Sequence, residues 1–189
     1  PETRLVKGVT RTLLYRRAIL SVGPGFHYFT LRKGAFPLQR GTFETITAVI
    51  SHLKERGITP ELLAEELDLA EPDELHKLRD VIDIYRAYDG VLASSGQDDV
   101  GGVYRTLAHG CTQDQFTAAF RAGFPEVDVV AVAGFDEFSE PELGFLRKIQ
   151  ALPGMAIELT FDYHPGNPSL FGQLEENYRR FHELGLREP

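Results

Sequence analysis

The feature that most constrains the fold is an apolar run at residues 127–133, which ends at Gly134. Two adjacent carboxylates, Asp136 and Glu137, follow the glycine, and a helix start follows them at Ser139. Strands that are buried on both faces of a parallel sheet have such runs. Ligands of these sheets bind outside the carboxyl ends of the strands. The run therefore predicts a buried strand with a candidate site directly after it.

A second strand is predicted at residues 155–161, beyond a helix that begins at Ser139. Ser139 is a favourable N-cap, and Glu142 stands at the position that completes a capping box. A strand, a helix and a second strand in this order form a βαβ unit, whose strands are parallel neighbours. The loop after the second strand, which carries Asp162 and His164, should then lie at the same sheet edge as the first acidic pair.

The segment before the first strand has a different pattern. Residues 42–122 show helical spacing of apolar positions almost throughout, interrupted by glycine, proline and capping residues. We therefore predict an α/β part formed by residues 1–41 and 123–189, into which an all-helical subdomain at 42–122 is inserted. A final helix is predicted at about 170–184.

Two segments within the first 41 residues each leave two interpretations open. Residues 4–22 predict an amphipathic helix whose arginines are either simply solvated or bind phosphate. Residues 26–31 predict an aromatic strand, which either packs in the core or stacks bases of single-stranded nucleic acid. The apolar stripe of the helix is predicted to comprise Leu13, Leu14, Ala18 and Ile19.

Composition limits the class of protein. The formal net charge of −8 argues against a broad electrostatic grip on nucleic acid, because that requires clustered Lys and Arg. The single cysteine excludes an internal disulfide framework and is typical of a reducing, cytoplasmic setting. No apolar run reaches membrane-spanning length, so no membrane is expected. The chain starts at Pro1 and its only methionine is Met155, which predicts a segment of a larger protein.

The acidic pair is the first candidate site. Asp136 would hold Mg²⁺ through water and Glu137 would polarise water, as in nucleotide hydrolases, or both are solvated loop acids before a helix. Asp162 and His164 form the second candidate, either as part of a metal site or as residues of a simple turn. The 189 residues contain no Gly-Lys-Ser/Thr phosphate loop.

The motif around Asp136 resembles the Walker B motif of UvrD-like, superfamily-one helicases, in which Val-Asp-Glu-Phe precedes a leucine-rich helix. Residues 157–165 lie where those helicases have a Gly-Asp-x-x-Gln motif. Residues 83–88 and 97–100 resemble parts of their inserted 1B subdomain. Residues 134–139 are closer still to the AddB (RexB) subunits of AddAB helicase–nucleases. The nucleotide-sensing Gln has no counterpart, because His164 or Pro165 stands near its place.

The resemblance implies a partial RecA-like, P-loop-NTPase-type sheet with a 1B-like helical insertion. It implies a scaffold and DNA-path role in double-strand break repair, with DNA and an AddA-like motor subunit as partners. No cofactor is expected in this chain itself, and Mg²⁺ and ATP belong to the full complex. Two alternatives stay open: a competent superfamily-one ATPase with an upstream Walker A motif, and a self-standing acidic helical interaction module.

Overall fold

The computed structural model describes residues 4–29, 38–135, 137–160, 162–164 and 166–186. The fold is mixed α/β and mostly helical, with two small sheets of two parallel strands each. The chain forms two compact units, residues 1–103 and 104–189. The predicted division into residues 42–122 and the two flanking segments stays a prediction. Among the described helices, none combines the length and the apolar character needed to cross a lipid bilayer.

The first unit is built around one long helix. Its elements in chain order are β1 (Arg4–Leu5), α1 (Gly8–Val22), α2 (Arg40–Glu55), α3 (Pro60–Glu65), α4 (Pro72–Ser94), β2 (Gln97–Asp98) and the start of α5 (Val100–Arg105). Short 3-10 turns follow α1 and α3. Helix α1 packs along α4, and the rings of Tyr15 and Tyr88 stack with their centroids 3.7 Å apart. Apolar residues of α1, α2 and α4 complete this core.

The prediction of an all-helical segment at residues 42–122 is wrong at residues 97 and 98, which form the strand β2. Gly96, at φ +63°, ends the turn after α4, and the following residues pair in parallel with β1. The backbone N–H of Val6 also donates to the carbonyl of Asp98 at 2.8 Å. The helix begins only at Val100, where a carboxylate oxygen of Asp99 accepts the N–H of Gly102 at 2.9 Å. Asp99 thus caps the start of α5.

A buried ammonium group links three elements of the first unit. The side chain of Lys54 in α2 is 2% exposed, and its Nζ lies 2.5 Å from Asp89 in α4 and 3.2 Å from Asp99. The same Nζ lies 5.0 Å from the ring centroid of Tyr88. A buried ammonium is tolerated only when it is paired and hydrogen-bonded. The two carboxylates meet that requirement and tie α2 and α4 to the segment before α5.

Two buried tyrosines border this cluster. Burial raises the pKa of Tyr15 and of Tyr88, because the phenolate form would lose its hydration, and the negative charge of Asp99 raises both further. Tyr15 shares a hydrogen bond of 3.2 Å with the hydroxyl of Ser51. The hydroxyl of Tyr88 lies close to Asp99, but no described group meets hydrogen-bond geometry with it. The tyrosines therefore stay neutral and fill the core.

Replacement of Lys54 by Met is expected to lower the free energy of unfolding by about 3–5 kcal/mol, because two carboxylates lose their buried counter-charge. Urea titration followed by circular dichroism measures the loss. The matched control is Lys77→Met on the exposed face of α4, which should change the value by less than about 0.5 kcal/mol. A loss below about 1 kcal/mol for Lys54→Met would show that the ion pairs contribute little.

The predicted aromatic strand at residues 26–31 is not formed over its described part, residues 26–29. Residues 30 and 31 lie outside the described residues. The backbone N–H groups of His27, Tyr28 and Phe29 instead donate to the carboxylate of Asp80, at 2.9, 2.8 and 2.9 Å. Asp80 is fully buried in α4. In a sheet, these backbone N–H groups would donate to the carbonyl groups of a neighbouring strand. Here the side chain of Asp80 accepts them instead, so the local preference for a strand is overridden.

Replacement of Asp80 by Asn should lower the free energy of unfolding by about 2–4 kcal/mol, because charge-assisted bonds to three backbone N–H groups are lost or weakened. Amide hydrogen exchange should accelerate first at His27, Tyr28 and Phe29. Asp83→Asn, on the exposed side of the same helix, is the control. Unchanged exchange at residues 27–29 would contradict the assignment of Asp80 as the anchor of this loop.

The second unit contains the predicted strand–helix–strand segment. Its elements are the end of α5, a π-helical turn (Thr106–Gly110), α6 (Gln113–Gly123), β3 (Val129–Ala133), α7 (Glu140–Gln150), β4 (Ala156–Thr160), α8 (Pro168–Phe171) and α9 (Glu175–Glu183). The strands β3 and β4 are parallel, from the pair Val129–Ala156 to the pair Ala133–Thr160. This confirms the predicted parallel pairing. A larger RecA-like sheet stays a prediction.

The sheet buries one face. Val132, Ile157 and Leu159 pack on a cluster that contains Phe138 and Phe181, and Val130 contacts a second cluster around Ile149. The alternate residues of both strands are exposed, so the prediction that residues 127–133 form a buried strand is wrong: the described sheet is covered on one face only. The final helix, predicted as continuous over 170–184, is divided into α8, a 3-10 turn and α9.

Candidate functional site

The first loop of the candidate site runs from the end of β3 to the start of α7. Gly134, at φ +77°, adopts a backbone conformation that other residues rarely tolerate, and it turns the chain out of the strand. Phe138 is buried, with its ring 5.3 Å from that of Phe135 and 5.1 Å from that of Phe181. Glu137, directly before it, is exposed. The buried phenylalanine therefore fixes the loop while the carboxylate remains at the surface.

The start of α7 is fixed by the predicted capping box. One carboxylate oxygen of Glu142 accepts hydrogen bonds from the backbone N–H and from the hydroxyl of Ser139, both at 2.8 Å. Acidic side chains in a first helical turn also interact favourably with the helix dipole. Glu142 therefore has a structural role, and the acidic residues of this loop do not all belong to a site.

The second loop follows β4 and is held by aromatic stacking. The ring of Tyr163 stacks on that of Tyr178 in α9 at 4.3 Å, and Tyr178 meets His182 edge-on at 4.5 Å. Asp162 and His164, on either side of Tyr163, are both exposed. Nδ1 of His164 accepts the backbone N–H of Gly166 at 3.1 Å, so the neutral imidazole carries its proton on Nε2. The sequence did not predict this role for Tyr163.

The topology brings both loops to one edge of the sheet, because Ala133 and Thr160 form the last pair of the parallel register. Asp136 lies outside the described residues, so its position relative to the other three candidates stays a prediction. In the described part of the chain, no three acidic, histidine or cysteine side chains are close enough to hold a metal ion. Glu137, Asp162 and His164 are thus placed at one edge without forming a three-ligand cluster.

These residues fit a magnesium site only in part. Mg²⁺ is normally bound by one or two carboxylates together with substrate phosphates and water. Glu137 and Asp162 offer exposed carboxylates at the sheet edge, but the phosphate loop that would present a nucleotide has no counterpart in the 189 residues. A carboxylate at this edge can therefore bind a Mg²⁺ ion that is already bound to the phosphates of a nucleotide. The sequence contains no phosphate loop that would position those phosphates.

The structure also contains an apolar groove that the sequence did not predict. It has a volume of about 350 Å³ and lies along β3 on the side where α7 packs. Its one acidic side chain, Glu142, is already bonded to Ser139. In the described part of the chain, β3 pairs with β4 and with no other strand. The groove is lined mainly by Tyr104, Leu107, Phe135, Phe138, Phe145 and Ile149.

Comparisons of the chain with protein-family models, with curated proteins and with solved structures give no match. The geometry and the chemistry of the chain's own residues therefore determine which function is favoured.

Replacement of Tyr163 by Ala should remove the stack on Tyr178 and lower the free energy of unfolding by about 1–2 kcal/mol. We expect amide hydrogen exchange to rise at Asp162 and His164. These residues flank Tyr163, whose ring orders the loop by stacking on Tyr178. Tyr163→Phe retains the ring and should leave both measurements close to those of the unsubstituted protein. Equal exchange in the Ala and Phe variants would show that stacking does not order this loop.

Proposed function

We propose that this chain is part of the helicase-like, non-motor region of an AddB-type subunit of an ATP-dependent helicase–nuclease. The observation that carries the proposal is the parallel β3–α7–β4 unit, with an acidic loop after its first strand. The resemblance of residues 134–139 to AddB subunits supports the assignment, as does the helical segment that precedes the unit. The proposed role is architectural, in a cytoplasmic complex that processes DNA ends.

The non-motor assignment is supported by the chemistry of the sheet edge. An ATPase of this type needs a phosphate loop, a metal-holding acid, and a residue that senses the γ-phosphate. Of these, the described residues offer only the exposed carboxylates Glu137 and Asp162. His164, near the expected position of the sensing Gln, uses Nδ1 to bind Gly166 within its own loop. ATP hydrolysis in the complex is therefore assigned to an AddA-like motor subunit.

The same edge has a consequence for the DNA path. Together with the chain's net charge of −8, the acidic character of this edge disfavours broad electrostatic binding of phosphate groups. We therefore propose that the sheet edge borders the path of the DNA and does not bind its phosphate groups strongly. The experiment that separates this role from that of a competent ATPase is the substitution Glu137→Gln in the parent protein, assembled with its motor subunit.

Glu137→Gln should leave DNA-stimulated ATP hydrolysis and unwinding of a blunt-ended duplex within about two-fold of the unsubstituted complex. A catalytic carboxylate of a nucleotide hydrolase loses far more, at least about 100-fold, when it is replaced by its amide. The matched control is Glu126→Gln, an exposed glutamate before the amino end of β3. A loss above about 10-fold for Glu137→Gln alone would favour the competent ATPase.

Failure of the parent protein to bind a motor subunit and DNA would overturn the AddB assignment.

A further inference from the structure

Helix α1 carries a line of exposed side chains that its packing does not explain. Val9, Leu13, Arg17 and Leu20 follow one another at intervals of four, four and three residues, which places them on one side of the helix. Val9 is 76% exposed, Leu13 57% and Leu20 54%. We call these four residues the outer stripe. At 1.5 Å per residue, the outer stripe is about 16 Å long.

The opposite side of α1 is already buried. Tyr15, Ala18 and Ile19 are almost fully covered and belong to the core that α1 shares with α4. The spacing of apolar residues predicted Leu13 on the same face as Ala18 and Ile19, and that prediction is wrong, because Leu13 is exposed. A helix at the surface of a globular protein normally has one apolar stripe. Helix α1 therefore has a second one, which faces away from its own core.

Charge indicates what chemistry fits the outer stripe. Residues 4–43 contain eight Lys and Arg and no Asp or Glu, although the whole chain has a net charge of −8. Arg17 lies within the stripe, and Arg16 is exposed beside it. The guanidinium of Arg16 lies 5.8 Å from the ring centroid of Phe43 in α2, and this contact orders the Arg16 side chain. The outer stripe is thus apolar except for Arg17, and it lies in a segment of the chain that is rich in Lys and Arg.

We propose that the outer stripe is a docking surface for an acidic amphipathic helix of another protein. Such a helix would place leucine-type side chains against Val9, Leu13 and Leu20, and a carboxylate against Arg17. Anchors at intervals of three and four residues are the pattern of helix-in-groove recognition. Arginine can bind a carboxylate through two parallel hydrogen bonds, which adds geometric specificity. The proposal does not depend on the role at DNA ends.

Nucleic acid fits this surface less well. Phosphate binding requires clustered cations but leaves aliphatic side chains in water, and three of the four residues of the outer stripe are aliphatic. A protein partner can remove these apolar side chains from water, which favours association, whereas a phosphate backbone offers no comparable cover. The aliphatic side chains therefore favour a protein partner, and the arginines favour an acidic one.

A second copy of the chain fits less well for a reason of length. Among the described residues, exposed leucines near carboxylates lie on two short segments: Leu62 and Leu69 on α3 and the 3-10 turn after it, and Leu170 on α8, which has only four residues. Helix α3 has six residues, or about 9 Å, and the turn beyond it has a different pitch. It cannot match a straight stripe of about 16 Å.

The test uses the whole chain and a synthetic, fluorescein-labelled 18-residue helical peptide. Four leucines at intervals of four, four and three residues are flanked by glutamates on both sides, and a hydrocarbon staple on the far face fixes the helix. We expect saturable binding in fluorescence anisotropy that weakens at least three-fold between 50 and 500 mM NaCl, because the flanking charges are screened. Leu13→Gln and Arg17→Glu should each weaken binding at least ten-fold.

Matched controls distinguish binding of the peptide at the outer stripe from non-specific binding elsewhere on the chain. Leu69→Gln removes an exposed leucine elsewhere, and Lys77→Glu reverses an exposed charge on α4, so both should bind the peptide as the unsubstituted chain does. A second peptide with lysines in place of the glutamates should bind at least ten-fold more weakly. Because Leu13 and Arg17 are exposed, circular dichroism and thermal unfolding should show that both variants remain folded.

Three outcomes would overturn the proposal. The first is no binding of the acidic peptide at millimolar concentration, or equal binding of the acidic and basic peptides. The second is binding of a single-stranded oligonucleotide that Arg17→Glu abolishes and Leu13→Gln does not, which would assign the surface to nucleic acid. The third is a concentration-dependent increase in mass, measured by sedimentation, that Leu13→Gln abolishes, which would make the occupant a second copy.

Discussion

The first unit depends on how one buried ammonium group is neutralised. Lys54 lies below the surface between Asp89 and Asp99, so α2, α4 and the segment before α5 must all be in place before its charge is compensated. The contact is also sterically demanding, because a Cβ on Gly101 would come within 2.6 Å of the Cβ of Lys54. A buried pair of this kind is a weak source of stability compared with an apolar replacement, but it is costly to break. If the three elements packed differently, the buried charge of Lys54 would lose its counter-charges, so such arrangements are disfavoured.

Asp80 acts in the same way on a smaller scale. Its carboxylate satisfies three consecutive backbone donors, which gives residues 27–29 a fixed conformation without strand pairing. Local preference alone would have made this aromatic segment a strand, since aromatic residues favour sheets. Nothing in the spacing of residues 26–31 identifies a partner more than fifty residues away. Interactions of this kind cannot be predicted from one sequence, because they depend on a side chain that the helix α4 brings in from a distant part of the chain.

The second unit shows what a sequence does predict. An apolar run, a glycine turn, a capped helix and a second apolar run identify β3, α7 and β4, and the helical crossover between the two runs makes the strands parallel. This topology also explains why Glu137, Asp162 and His164 lie at one sheet edge. The sequence could not predict how far the side chains converge, because convergence depends on loop conformation. Gly134, the buried ring of Phe138 and the stack of Tyr163 on Tyr178 determine those conformations. The groove along β3 was missed because its walls come from separate elements.

Helix α1 shows why periodicity has to be combined with packing. Its apolar residues are compatible with an inward stripe that contains Leu13, but only one stripe of an isolated helix can face a given neighbour. The contact with α4 selects the face of Tyr15, Ala18 and Ile19 and leaves Leu13 on the other side. The segregation of charge then becomes informative, because a positive segment without carboxylates adjoins a largely acidic remainder. The contact of α1 with α4 is made by the apolar core and does not by itself require such a distribution. The distribution is explained if α1 has to attract an anionic surface on one side while it completes its own core on the other.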